Sequence, residues 1–136
     1  MAPVFDSLSS KVIAAAIKVH KQLGPGFLEG VYEQALRFEL SDCGIPHESQ
    51  KEIKVRYGDR IVGKHMLDLL VAEKLVVELK AVKGLEDIHY AQVKSYLKAS
   101  GAEVGLLMNF NCGLLEVKRV VLNFEDRTSS LAVPEG

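Results

Sequence analysis

The sequence predicts an α/β domain in which a mixed β-sheet is flanked by helices. The first observation is a pair of segments near the amino terminus with apolar residues at helical spacing. The second is a change to period-two alternation from about residue 53, which is typical of strands. The third is a return of helical spacing near residue 90, followed by two more strand-like segments. The resulting order of helix, helix, three strands, helix and two strands is an α/β arrangement.

The two amino-terminal helices are predicted over residues 10–23 and 27–42. Serines at positions 7, 9 and 10 are available to cap the first helix. Gly24-Pro25-Gly26 ends it, because proline cannot continue a helix and glycine suits the position that follows one. Gly44 and Pro46 close the second helix. The predicted apolar stripe of the second helix consists of Leu28, Val31, Ala35, Leu36 and Leu40.

The strands are predicted from alternation, turns and apolar runs. Ile53, Val55 and Tyr57 alternate with charged residues, and Gly58-Asp59 is a turn. Residues 60–71 and 75–82 are two further strands joined by residues 72–74. A third helix over 86–100 ends at Gly101, and segments 103–110 and 114–122 are the last two strands. Residues from about 126 onward are expected to form a frayed tail.

Composition limits the classes of protein to which this chain can belong. Its 136 residues suit one domain, 1–136, and its hydrophobic content of 48% argues against a disordered linker. The 17 basic and 18 acidic residues give a net charge of −1, which excludes a strongly basic nucleic-acid coat protein. No apolar run approaches the ~20 residues of a membrane span, and no signal peptide is visible. Cys43 and Cys112 are expected to be free thiols, which favours the cytoplasm.

The most informative segment is the predicted hairpin of residues 65–82. Opposed residues of an antiparallel pair share a face, and a three-residue loop at 72–74 places Asp68 opposite Glu78 and Met66 opposite Lys80. A two-residue loop would instead put Asp68 and Glu78 on different faces. One predicted face is apolar except at its terminal histidine and carries His65, Leu67, Leu69, Val71, Leu75, Val77, Leu79 and Ala81. The other carries Met66, Asp68, Leu70, Val76, Glu78 and Lys80.

Two opposed carboxylates on an otherwise apolar surface indicate a metal site. Like charges directly opposite one another destabilise a sheet, and an unpaired buried ion is costly. A divalent cation between Asp68 and Glu78 would relieve both problems, and all-oxygen ligands favour a hard ion such as Mg²⁺ or Mn²⁺. Lys80, on the same side as Glu78, would polarise a water or a phosphate oxygen. The alternative is an exposed sheet face on which Glu78 and Lys80 pair and Asp68 is solvated.

These residues also carry a family resemblance. Asp68, followed after nine residues by Glu78-Leu79-Lys80, resembles the core of the PD-(D/E)XK nuclease superfamily, with Leu67 in place of the motif's proline. The segment Gly26-Phe27-Leu28-Glu29-Gly30-Val31-Tyr32 is similar to the signature of the small bacterial GxxExxY proteins, which are grouped in that superfamily. The resemblance covers nearly the whole chain. It implies a restriction-endonuclease-like fold, a metal ion held by Asp68, Glu78 and the Leu79 carbonyl, and a lysine, Lys80, that assists the water attacking a phosphodiester.

The same resemblance adds further candidates on the helices. In such nucleases an acid on the first helix points at the metal site, which makes Glu29 a catalytic candidate, and Tyr32 of the same motif a substrate contact. The alternative for Glu29 is an exposed acid that favours the helix dipole. Gln92 and Tyr96 resemble the QxxxY element of RecB-type members. Gln92 would hydrogen-bond the attacking water or Lys80, and Tyr96 would contact substrate unless it packs in the core.

Nucleic acid, and DNA in particular, is the expected partner. Lys83 and Lys94 are candidate substrate contacts around the site. The earlier group Lys51, Lys54, Arg56, Arg60 and Lys64 would guide a phosphate backbone or only protect an edge strand from aggregation. No nucleotide-cofactor motif occurs.

Two functions fit the sequence, a metal-dependent nuclease and a non-catalytic binding or assembly module that keeps the nuclease fold. A homodimer, with strands 104–110 and 114–122 supplying the edge through which two copies associate, would enlarge the surface that binds nucleic acid.

Overall fold

The computed structural model describes residues 6–123, which form three helices and five strands in the predicted order. The helices are α1 (Ser7–Leu23), α2 (Glu29–Asp42) and α3 (Asp87–Ser100). The strands are β1 (His47–Tyr57), β2 (Arg60–Val71), β3 (Leu75–Lys80), β4 (Val104–Asn109) and β5 (Glu116–Val121). The order ααβββαββ is therefore confirmed. The tail predicted from about residue 126 lies outside the described residues.

The five strands form one mixed sheet in the order β1-β2-β3-β4-β5. β3 and β4 are parallel, because α3 carries the chain back across the sheet between them. The other three pairs are antiparallel. β4 lies between β3 and β5, so segment 104–110 is not at an edge of the sheet and does not supply the edge expected for a homodimer. β5 is an edge strand, and association of two copies through it stays a prediction.

Each face of the sheet is covered by helices, which creates two apolar clusters. α1 and α2 pack on one face, where Val12, Leu36 and Leu40 join Val77 and Leu106 of the sheet. α3 packs on the other face, where Val93, Tyr96 and Leu97 join Leu67, Val76 and Leu107. The sheet is consequently the middle layer of an α/β sandwich, and β3, the strand that carries Glu78, is buried from both sides.

Two details of the first helices differ from the predictions. Asp6 caps α1, because its carboxylate accepts the backbone N–H of Ser9 at 2.7 Å, and this bond lowers the pKa of Asp6. α2 begins at Glu29 rather than at residue 27. Its buried stripe is Tyr32, Leu36 and Leu40, whereas Leu28 is 83% exposed. At the start of α2, the buried stripe therefore lies one residue later in the sequence than the predicted stripe, at Tyr32 instead of Val31.

The strand alternation of β1 and β2 breaks at Gln50 and Asp68. His65 and Leu67 were predicted on the face of Leu69, but both lie on the α3 face: Leu67 packs in the α3 cluster, and the His65 ring meets Tyr96 at 4.6 Å. Leu69 packs in the cluster under α1 and α2. The change coincides with Gln50, whose φ of 49° lies in the left-handed region. Period-two alternation requires extended backbone throughout, so it fails at this residue.

Two smaller expectations can also be compared with residues 6–123. Cys43 and Cys112 are both free, as predicted. Within the described ranges, no helix has the length and apolar character needed to cross a membrane.

Candidate active site

β2 and β3 separate at the point where the candidate acids lie. Their ladder contains Val71–Leu75, Leu70–Val76 and Leu69–Val77, which is the predicted register, but it ends before the predicted pairs Asp68–Glu78 and Met66–Lys80. The next pair in that register is Asp68 and Glu78, and there side chains replace the ladder. The backbone N–H of Asp68 donates to Glu78 Oε1 at 3.0 Å, and that of Leu79 donates to Asp68 Oδ2 at 2.9 Å. The two carboxylates therefore hold the strands together across an opening cleft.

Glu78 is the most buried member of this pair. Its residue surface is only 3% exposed, and burial, followed by the charge of Asp68, raises the pKa of Glu78 to about 8. Lys80 acts in the opposite direction but does not offset the burial. A carboxyl group in this setting is costly to ionise until a positive charge arrives.

Lys80 is held in place by α3. Its ammonium Nζ donates to Gln92 Oε1 at 2.9 Å, which is one of the two contacts expected for Gln92. Lys80 and Glu78 are both half-buried or buried and lie two residues apart on β3, so their side chains leave the same face. Gln92 lies one turn before Tyr96 on the buried side of α3. Lys80 therefore sits beside the acid pair in a fixed orientation.

The α2 face of the cleft contributes an acid that the sequence did not single out. Gln50 Nε2 donates to Glu33 Oε1 and Oε2 at 3.0 and 3.2 Å and approaches Asp68 Oδ1 at 3.4 Å. Burial, and more weakly the charge of Asp68, raise the pKa of Glu33, while the Gln50 bond lowers it. Glu33 is one helical turn after Glu29, on the same side of α2, and this spacing was the only signal in the sequence.

Glu29 and Tyr32 occupy different places from those expected. Glu29 is exposed, and its effect on the cluster is a weak charge interaction that raises the pKa of Glu33. Tyr32 is fully buried. Its hydroxyl donates to the Gly24 carbonyl at 2.6 Å and accepts the Phe27 N–H at 3.1 Å. The expected substrate contact does not fit this position, because Tyr32 instead fixes the α1–α2 junction.

The remaining candidates lie around α3. Tyr96 is only 6% exposed and packs in the core cluster, which is the alternative considered for it. Burial, with contributions from Glu78 and Asp68, raises the pKa of Tyr96 to about 12. Lys83 is exposed in the segment between β3 and α3, and Lys94 is half-buried. Lys94 and Lys98 line a depression of about 460 Å³ on the outer face of α3.

The donor set of the cleft fits a hard divalent cation. Mg²⁺ is usually held by one or two carboxylates and keeps several waters, and Asp68 and Glu78 provide such a pair. The Leu79 carbonyl points toward the same gap, because an extended residue directs its N–H and C=O to one side and the Leu79 N–H reaches Asp68. Within residues 6–123, no group of three His, Cys, Asp or Glu side chains is arranged as a complete metal cage.

Another depression lies at the opposite end of β3. It measures about 740 Å³ and is lined partly by Ser7, Leu75 and Val104. It contains none of the predicted site residues. The chemistry suggested by the sequence is therefore concentrated where β2 and β3 diverge.

Comparison with known proteins points to the same region. The profile of the PD-(D/E)XK nuclease superfamily matches residues 6–120, which include Asp68, Glu78, Lys80 and Gln92. The chain belongs to the PD-(D/E)XK nuclease superfamily. Membership suggests nuclease activity, and nucleases of this superfamily typically use divalent metal ions.

One solved structure, described as the crystal structure of SSO0001, shares this fold. Its TM-score is 0.56 at 22% sequence identity, over 76% of this chain and 55% of that chain. The present chain therefore spans little more than half the length of that protein, and the likeness concerns the fold alone. No curated protein matches the sequence.

Proposed function

We propose that this protein is a metal-dependent phosphodiesterase that hydrolyses nucleic acid, with DNA as the substrate and Mg²⁺ or Mn²⁺ as the metal. The observation that carries the proposal is the cleft between β2 and β3. The carboxylates of Asp68 and Glu78 meet there. Lys80 lies on the same strand as Glu78, and its ammonium donates to Gln92 Oε1 at 2.9 Å. Membership of a nuclease superfamily supports the reaction class.

Asp68, Glu78 and the Leu79 carbonyl would hold the cation. When bound, it would supply Lewis-acid stabilisation of the phosphate and lower the pKa of a coordinated water. Its charge would also favour the ionised form of Glu78, whose pKa is otherwise raised to about 8.

Lys80 is proposed to orient the attacking water and to offset negative charge on the phosphate. Its bond to Gln92 restricts the side chain, so less conformational freedom is lost when substrate binds. Gln92 is thus a positioning residue with respect to Lys80. The family resemblance implies a helix acid that points at the metal site. We assign this role to Glu33 of α2 and not to Glu29, since Glu33 is linked through Gln50 to Asp68.

The test is a cleavage assay on single- and double-stranded DNA and RNA with Mg²⁺, Mn²⁺ or EDTA. Asp68→Asn and Lys80→Ala are expected to lower the rate by at least about a hundredfold, the usual scale for a group acting in the transition state. Glu73→Gln and Lys74→Ala are matched controls, because both residues are exposed in the turn of the same hairpin. These controls should cleave like the wild type. Metal-independent cleavage, or unchanged rates in both site variants, would contradict the mechanism.

A second function is a non-catalytic binding or assembly module that keeps the nuclease fold. It is favoured by one observation, that a net charge of −1 gives the chain no overall attraction for a polyanion. Calorimetric titration with Mg²⁺ and Mn²⁺ separates the two functions. The nuclease requires metal binding that Asp68→Asn weakens, whereas the module is supported if neither cleavage nor metal binding is detected.

A further inference from the structure

The β1–β2 hairpin extends well beyond the rest of the sheet. β2 pairs with β3 only through Leu69, Leu70 and Val71, while its pairing with β1 continues to Tyr57 and Arg60. Nine residues separate Leu69 from Arg60, which corresponds to about 30 Å of strand. The outer part of this hairpin, residues 54–64, is called the arm here. Nine of its eleven residues are exposed, and Val55 and Gly63 are half-buried.

The arm concentrates positive charge in a chain whose net charge is −1. It contains four basic residues and one acid, Asp59, for a net charge of +3. Within residues 6–123, Lys64 forms an ion pair with Glu52 at 3.6 Å, but Lys54, Arg56 and Arg60 form none. This excess is too localised to be explained by solubility of the whole molecule.

The register of the arm places two of these charges against each other. Lys54 and Lys64 are directly opposed partners in the β1–β2 ladder. Like charges at directly opposed positions destabilise a sheet, and both side chains remain exposed. Glu52 pairs with Lys64 and offsets part of this repulsion, so an anionic partner at Lys54 would offset the rest and favour a bound complex over the free protein.

Apolar and aromatic side chains are interleaved with the charges. Tyr57 is 71% exposed, Ile61 52% and Val62 64%. Exposed apolar side chains on a protruding hairpin favour a binding function. Combined with the basic residues, they match a ligand that offers phosphates together with flat or methyl-bearing base edges.

The arm continues the strands that carry the candidate active site. Gln50 and Asp68 occupy opposite positions four residues before the arm, about 13 Å along the strands, and Gln50 Nε2 approaches Asp68 Oδ1 at 3.4 Å. On the α3 side, the His65 ring contacts Tyr96 at 4.6 Å and fixes the base of the hairpin against the helix. A polymer lying along the arm would therefore continue into the cleft that contains the acid pair.

We propose that the arm binds duplex DNA by entering its major groove, with Lys54, Arg56 and Arg60 contacting the flanking phosphates. The major groove of B-form DNA is about 12 Å wide and admits a two-stranded β-ribbon, whereas the A-form RNA major groove is too narrow for such readout. This proposal rests on the proposed nuclease function for its biological setting. The interaction itself requires only the arm, and it narrows the substrate class to double-stranded DNA.

The test is fluorescence anisotropy of a labelled DNA duplex in EDTA, where metal-dependent cleavage cannot occur. The triple variant Lys54→Gln, Arg56→Gln, Arg60→Gln should weaken binding by at least about tenfold near physiological salt. It should also reduce the slope of log K against log salt by about 3, one for each lost phosphate contact. The matched control, Lys11→Gln, Lys21→Gln, Lys74→Gln, removes the same charge from exposed positions outside the arm. It should retain most of the wild-type affinity and slope.

Several results would overturn the arm proposal. Equal losses of duplex affinity in the arm and control variants would show a general effect of charge. The absence of duplex binding by the wild type would contradict DNA as the partner of the arm. An RNA duplex bound with equal arm dependence would contradict insertion into a B-form groove. A changed oligomeric state with unchanged DNA affinity, measured by sedimentation, would identify the arm as a protein interface.

Failure of the arm and failure of the nuclease are distinguishable. If the wild type cleaves DNA and the arm triple variant binds and cleaves like the control, only the arm proposal is wrong. If the arm triple variant loses duplex binding in EDTA but the wild type cleaves nothing with any metal, the arm proposal stands and the nuclease proposal fails. Circular dichroism of both triple variants checks that the sheet and helices are retained.

Discussion

At the scale of single residues, the candidate site is shaped by Gln50 as much as by the two acids. A non-glycine residue at φ 49° is uncommon and carries a backbone cost of about 1 kcal/mol or more. The hydrogen bonds that its side-chain amide donates to Glu33 and Asp68 offset this cost. Its amide hydrogens occupy a position where two carboxylates converge, so Gln50 does part of what a cation would do there.

Replacing Gln50 with glutamate tests this interpretation. Gln50→Glu keeps the length of the side chain but places a third carboxylate beside Glu33 and Asp68. We expect the free energy of unfolding in EDTA to fall by about 0.5–2 kcal/mol, because each of the two new like-charge pairs would cost about 0.2–1 kcal/mol at this exposed position. The increase in the free energy of unfolding when Mg²⁺ is added, measured by urea denaturation, should be larger for this variant than for the wild type. Gln50→Gly is the control, since it relieves the backbone cost without adding charge.

A Gln50→Glu variant as stable as the wild type in EDTA would contradict this role for Gln50. An equal Mg²⁺ response in both proteins would show that the position is remote from the cation.

At the scale of secondary-structure elements, the close contact of α3 with β4 positions Gln92 over Lys80. Gly105 of β4 makes the contact possible, because a Cβ built at this residue would lie 2.7 Å from Val93 Cγ1 on α3. Val93 is fully buried one residue after Gln92. The height of the helix above the sheet is therefore coupled to the geometry of the lysine.

Gly105→Ala should lower the free energy of unfolding by about 1–3 kcal/mol, the usual cost of overpacking. Val93→Ala in the same protein should recover part of that loss, because it removes the atom that the new methyl group meets. A double-mutant cycle followed by urea denaturation measures the coupling. Gly84→Ala is the control, since a Cβ there meets nothing within 4 Å. Strictly additive losses in the cycle would contradict the proposed contact.

Much of the element order was predictable from the sequence because periodicity and loop length determine it. The 72–74 loop set the register that brought Asp68 next to Glu78, and the turn residues marked most element ends. The face of Leu67 was not predictable, since no signal in the alternation of β2 marks the change of face at Asp68, opposite the left-handed Gln50. Likewise, choosing Glu33 over Glu29 requires knowing how α2 is rotated on the sheet, which Tyr32 determines by packing against Phe110 at 4.6 Å between ring centres.

At the scale of the whole molecule, opposite charges are separated along one hairpin. The arm carries a net charge of +3, and four residues before it the same hairpin meets a cluster of carboxylates at Asp68. The net charge of −1 therefore conceals a strongly polarised surface. Loading the acid pair with a cation would make the base of the hairpin less negative, so the arm and the cleft would attract the same polyanion.

This arrangement links the stability of the whole protein to pH through Glu78. The folded-state pKa is about 8, against an ordinary value of 4.5, so the folded protein binds a proton more tightly than the unfolded chain. Where the folded state holds more protons, stability decreases as pH rises. We therefore expect the free energy of unfolding in EDTA to fall between about pH 5 and about pH 8, by on the order of a few kcal/mol, and to level off above that range.

Divalent cations should reverse this trend, because they bind the ionised carboxylate and release its proton. Urea denaturation at several pH values, with and without millimolar Mg²⁺, is expected to show a stabilisation that increases from about pH 5 to about pH 9. Glu78→Gln removes the titrating group and should abolish most of both effects, whereas Glu73→Gln in the exposed turn should preserve them. If wild-type stability in EDTA instead increased across this pH range, Glu78 would have to be ionised in the folded protein. The electrostatic cost of placing two ionised carboxylates side by side would then not be the reason that the cleft binds a metal ion.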